Sequence, residues 1–64
     1  MYKVVRIEII DGVRVINEFM FSSRGKAEDF FTKECTEKRV VDIRLFYCIP
    51  YGGEYELTSF VRKV

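Results

Sequence analysis

Two thiols, a glycine pair, a serine-led helix start and a scatter of carboxylates are the groups in this chain whose chemistry could be put to use. A thiol or hydroxyl nucleophile needs a base beside it, and the usual one is missing, because the sequence contains no histidine. That absence removes the commonest general base and the commonest transition-metal ligand together. Cys35 falls one helical turn beyond Phe31 on an apolar stripe, the position of a small buried hydrophobe rather than of a nucleophile. Cys48 lies near Pro50 with no base or helix start beside it, and reads as an accessible thiol open to oxidation. Acid and base work by paired carboxylates requires a cleft, whereas Asp11, Glu28, Asp29, Glu34, Glu37 and Glu54 fall on expected turns and the wet side of a helix. Gly52-Gly53 sits between two strands and is not followed by Lys-Ser or Lys-Thr, so it lacks the context of a phosphate loop. Ser22-Ser23-Arg24-Gly25-Lys26 would place two basic residues at a helix start that could hold an anion, but an ordinary N-cap accounts for it. No catalytic, cofactor-binding or metal-binding residue is expected, nor is a small-molecule substrate.

The elements that would carry these residues are legible from hydrophobic period. Tyr2 to Ile10 alternates, with Val5, Ile7 and Ile9 at odd positions, and Val13 to Phe21 alternates again through Val15, Phe19 and Phe21. Asp11-Gly12 between them is a strong hairpin signal. A two-residue turn would pair Ile9 with Arg14 and Val5 with Glu18, mixing charge into the core, so a longer loop or bulge that sets Ile9 opposite Val13 and Ile7 opposite Val15 is expected. Ala27, Phe30, Phe31 and Cys35 recur at helical spacing after Ser22-Ser23, predicting one amphipathic helix over Arg24 to Lys38. Val40 to Ile49 and Glu54 to Arg62 return to period two around a Pro50-Tyr51-Gly52-Gly53 turn.

The fold class that follows is α+β: ββαββ, a four-stranded sheet with one helix packed on one face. The odd-numbered strand residues are expected beneath the helix, and the expected strand order is 2-1-4-3, with the first and last strands parallel at the centre. In element order this resembles the β-grasp arrangement of small immunoglobulin-binding domains, with no shared motif to carry a function across.

Sixty-four residues hold one core, so residues 1–64 read as a single domain. A chain this short tends to need a partner subunit, metal or disulfides, which makes self-association an expectation. Hydrophobic residues at 48% with charged residues at 33% fit a folded domain, and a net charge of +1 without basic or acidic blocks gives no global pull toward nucleic acid or membrane. The two cysteines match neither a metal knuckle nor a secreted disulfide framework. With no apolar run near the length of a membrane span, a cytoplasmic protein is expected.

The even-numbered sheet face is too apolar for a purely solvated one, with Val4, Ile10, Ile16, Met20, Val40, Phe46 and Phe60 set among charges. Aromatic and arginine residues together are the composition of binding hot spots, so Arg44, Phe46, Phe60 and Arg62 are the expected partner-binding residues. A protein partner or a second copy is the expected occupant, and the domain is read as a non-enzymatic adaptor, inhibitor or regulator of the kind phages and mobile elements also carry. The alternative is single-stranded nucleic acid stacked on Phe46, Phe60 and Tyr51 with its phosphates on Arg6, Arg44 and Arg62, and the interleaved Glu8, Glu18, Asp42 and Glu56 argue against it.

Overall fold

A computed structural model describes residues 1–63. Strands β1 (Tyr2–Ile10) and β2 (Val13–Phe21) form a hairpin, helix α1 (Arg24–Glu34) follows, and β3 (Val40–Cys48) and β4 (Glu54–Val61) form a second hairpin. One four-stranded sheet with a helix on one face is thus the architecture.

The first turn is a two-residue one after all. Asp11 and Gly12 both take positive φ, 51° and 79°, the mirror-image turn whose twist matches that of its strands. The turn fixes the register: Ile10 pairs with Val13, Ile9 with Arg14 and Val5 with Glu18, the pairing that charge in the core had argued against. The even residues of β1 and the odd residues of β2 therefore share the helix-covered face. Val4 lies opposite Phe19 and Tyr2 opposite Phe21, and both phenylalanines pack on Phe30 with ring centroids 4.7 and 5.4 Å away. Val5, Ile7 and Ile9, expected in the core, are on the other face.

The strand order is β2-β1-β3-β4 with every neighbour antiparallel, not 2-1-4-3 with a parallel centre, and the β-grasp likeness ends at element order. β3 takes the central place because it is the apolar strand of its hairpin. Val40, Ile43 and Leu45 are fully buried, whereas Leu57 and Phe60 are the only parts of β4 packed on the core. The helix crosses over β1 to link β2 to β3, and it lies over β1, β2 and β3 rather than β4.

Ser23 caps the helix, its hydroxyl accepting from the Lys26 N–H at 3.4 Å. The helix stops at Glu34, short of Lys38, where tighter bonds from the Thr36 and Glu37 N–H groups to the Lys33 and Glu34 carbonyls turn the chain. The Thr36 hydroxyl donates to the Lys33 carbonyl as well. The buried centre is Val4, Ala27, Val40, Ile43 and Leu45, flanked by Phe31, Cys35 and Phe60. Val4, Val40 and Phe60 had been placed on the open face from their even numbers. Val4 is inside because the first hairpin's register turns the even residues of β1 toward the helix, and two bulges undo the parity of the others: one at Val41 in β3 for Val40, one at Leu57 in β4 for Phe60. Among the described residues, no helix is long and apolar enough to cross a membrane.

Candidate functional site

The face away from the helix is built in rows across the four strands. Met20, Lys3, Phe46 and Glu56 form the first row, Glu18, Val5, Arg44 and Ser59 the second, and Ile16, Ile7, Asp42 and Val61 the third. Arg14, Ile9 and the bulged Val41 close the far end.

The two cations of the first two rows, Lys3 and Arg44, are held by carboxylates. Arg44 donates to Asp42 at 3.0 Å and to Glu56 at 3.1 Å, and the Asp42 hydrogen bond, with that of Glu56 behind it, raises the guanidinium pKa above its ordinary value. Lys3 reaches Glu54 at 2.7 Å and Glu18 at 3.9 Å, with its ammonium 5.3 Å from the Phe46 ring centre. The Glu54 hydrogen bond raises the Lys3 pKa, and slight burial works against it. The far end is different. Ile9, Val41 and Val61 line a depression of about 230 Å³ whose rim carries Arg14, Asp42 and Arg62, with Ile16 exposed beside it. Arg14 makes no ion pair among the described residues.

Of the four residues expected to bind a partner, the structure brings Arg44 and Phe46 together on this face, leaves Arg62 at the margin of the far depression with its guanidinium turned to backbone carbonyls, and packs Phe60 into the core. Phe46 stands opposite Glu56, while Phe60 stands opposite Ile43 and packs into the core. Arg62 leaves β4 and donates to the carbonyls of Val40, Cys35 and Glu37 at 3.0, 2.8 and 3.2 Å, its guanidinium 5.2 Å from the Phe60 ring. The bulge at Leu57 separates the two aromatics. The arginines of the nucleic-acid reading are likewise engaged: Arg44 by carboxylates, Arg62 by carbonyls, Arg6 inside the fold.

Beneath the helix lies a second polar cluster. Glu8 and Glu34 are 3% and 6% exposed, so Glu34 is not on the wet side of the helix. Arg6 joins them, bonding Glu34 and lying 3.2 Å from Glu8, with Phe19 stacked 4.8 Å from its guanidinium carbon. Glu8 also bonds Arg39, which reaches Glu37 at 2.9 Å, giving an alternating chain Glu34, Arg6, Glu8, Arg39, Glu37. Hydrogen bonding to Glu8 raises the Arg39 pKa. Each buried carboxylate is held by a guanidinium, so neither charge is left uncompensated beneath the helix. The periodicity of β1 offered one clue to it: Arg6 and Glu8 are consecutive positions on one strand face. Cys35, flanking the core, has its thiol pKa pushed up by burial, with Arg62 drawing it partly back. No group of three or more His, Cys, Asp or Glu side chains is placed to hold a metal ion among the described residues.

Comparison of the chain with protein-family models, curated proteins and solved structures finds no significant match.

Proposed function

We propose that this domain is a non-enzymatic protein-binding module, an adaptor, inhibitor or regulator, that docks its partner on the open sheet face at the Ile9, Val41 and Val61 end. The observation that carries the reading is the depression there, with an apolar floor and a charged rim, next to rows whose cations are already paired. Desolvating self-neutralised charges and exposed aliphatic side chains is how protein interfaces form, with an apolar centre and a polar margin. The occupant is an apolar side chain on a protein surface, ringed by polar groups that meet the Arg14, Asp42 and Arg62 rim. Charge mixing along the face suits protein better than a polyanion.

Val61→Glu tests this. Val61 is 56% exposed, so the substitution should leave the fold intact while placing a carboxylate at the depression. Tagged wild type should capture a partner from an extract of the source cells that Val61→Glu loses and Tyr51→Ala, at the fully exposed turn, retains. Capture of the same partner by Val61→Glu, or capture by none of the three, would overturn the reading.

A further inference from the structure

The two edges of the sheet are finished differently. β4 carries a bulge and two glutamates, Glu54 and Glu56, both tied into ion pairs. β2 runs nine residues in unbroken register with no proline and no lysine, and Val13, Ile16 and Met20 are exposed along it. Bulges, prolines and edge charges are the usual guards against strand pairing; β2 has no bulge and no proline, and its two charges, Arg14 and Glu18, are of opposite sign.

Its free hydrogen-bonding groups can be assigned. The Ile9 N–H bonds the Arg39 carbonyl at 2.9 Å, away from β2, so Ile9 and Arg14 form a non-hydrogen-bonded pair. By alternation, the backbone groups of Arg14, Ile16, Glu18 and Met20 point outward from the sheet. The side chains of the same residues lie on the open face, where Glu18 has a single weak neighbour, Lys3 at 3.9 Å, and Arg14 has none.

We propose that the β2 edge pairs antiparallel with the β2 edge of a second copy, Ile16 on the two-fold axis. In that register Arg14 stands opposite the second copy's Glu18, and Glu18 opposite its Arg14, each pair exchanging two backbone hydrogen bonds from the outward groups. Ile16, 62% exposed in one copy, meets Ile16 of the other, and on the helix side Val13 covers Phe19 of the other. Neighbouring registers fail on charge. Asn17 on the axis sets Ile16 against Glu18 and Arg14 against Met20, Val15 on the axis sets Arg14 against Ile16 and Glu18 against Gly12, and Glu18 or Arg14 on the axis sets like charges together. A two-fold axis normal to the sheet makes this contact isologous and self-limiting, with both helices on one side and both open faces joined. The assembly stands whether or not the open face binds a partner.

Sedimentation velocity and light scattering, with circular dichroism as the fold control, decide it. Wild type should form a dimer as concentration rises. Arg14→Glu and Glu18→Arg should each weaken association by about tenfold or more, because each turns two attractive cross-strand pairs into repulsive ones. The double variant Arg14→Glu/Glu18→Arg should restore affinity to within about threefold of wild type, since the pairs are exchanged but kept. Hydrogen exchange at the Ile16 and Glu18 amides should slow with chain concentration. A wild type that stays monomeric at millimolar concentration, a double variant no tighter than the singles, or a dimer lost in Val61→Glu but kept in Arg14→Glu would overturn the edge pairing.

Discussion

Arg6→Met probes the buried charge chain directly, since methionine fills much of the arginine stem's volume and removes only the cation. Arg6 is the link between Glu8 and Glu34, and its side chain is 14% exposed. Removing one partner of a buried pair costs about 3–5 kcal/mol because the other charge is left uncompensated. Glu8 keeps Arg39 and Arg6 has some access to water, so the lower end, about 3 kcal/mol, is expected here. A domain of 64 residues has a total stability of about 3–10 kcal/mol, so the variant should be visibly destabilised or unfolded. Urea unfolding followed by far-ultraviolet circular dichroism at neutral pH measures it. The triple variant Arg6→Met/Glu8→Leu/Glu34→Leu leaves no uncompensated charge under the helix and should lie within about 1 kcal/mol of wild type, or above it. A single variant costing less than about 1 kcal/mol, or a triple variant as unstable as the single, would refute the network as a buried and mutually dependent one.

Neighbouring positions on β4 should behave oppositely: Phe60→Glu should lose the cooperative melt seen by circular dichroism, while Val61→Glu keeps it, because only Phe60 packs on the core. Gly12→Val should lower stability by more than about 1 kcal/mol in urea titration, because a β-branched residue resists a φ of 79°. Cys35 gives a pH dependence: its folded pKa is raised by burial, so the stability it contributes is fully present below the unfolded value of about 8.5 and is lost as pH rises through the folded value. Melting temperature should fall on that alkaline limb, and less so in Cys35→Ala. Lys3, raised mainly by Glu54, adds a loss of the same sign above its unfolded value of about 10.4.

Element type was legible because each strand and the helix carries its own period, and Ser23 and Asp11-Gly12 mark local boundaries, but the helix end at Glu34 rather than Lys38 was not. Nor was facing. In β1 the odd residues Val5, Ile7 and Ile9 out-vote Val4, Arg6 and Glu8 for the core, and only the distant Glu34 and Arg39 make burial of Arg6 and Glu8 tolerable. In β3 and β4 the bulges at Val41 and Leu57 shift parity mid-strand with no residue type to announce them. That is how Phe60 came to be grouped with Phe46. Strand order was partly written in composition: β4, with Glu54, Glu56, Thr58 and Ser59, is the polar strand suited to an edge. For the open face, the expected apolar content was right in kind, but its residues are the odd ones of β1 rather than the even.

The Arg62 guanidinium, set across the carbonyls of Cys35, Glu37 and Val40, has a consequence for how the molecule comes apart. The segment between the helix and β3 closes its turns partly through a side chain that follows β4, so its order is borrowed from the far end of the sequence. When β4 peels from β3, the helix exit loses those three acceptors' partner in the same event, while the β1–β2 hairpin retains its own pairing. Fluctuations of the sheet edge and of the helix terminus thereby belong to one cooperative opening, and the domain divides along β3 rather than fraying strand by strand.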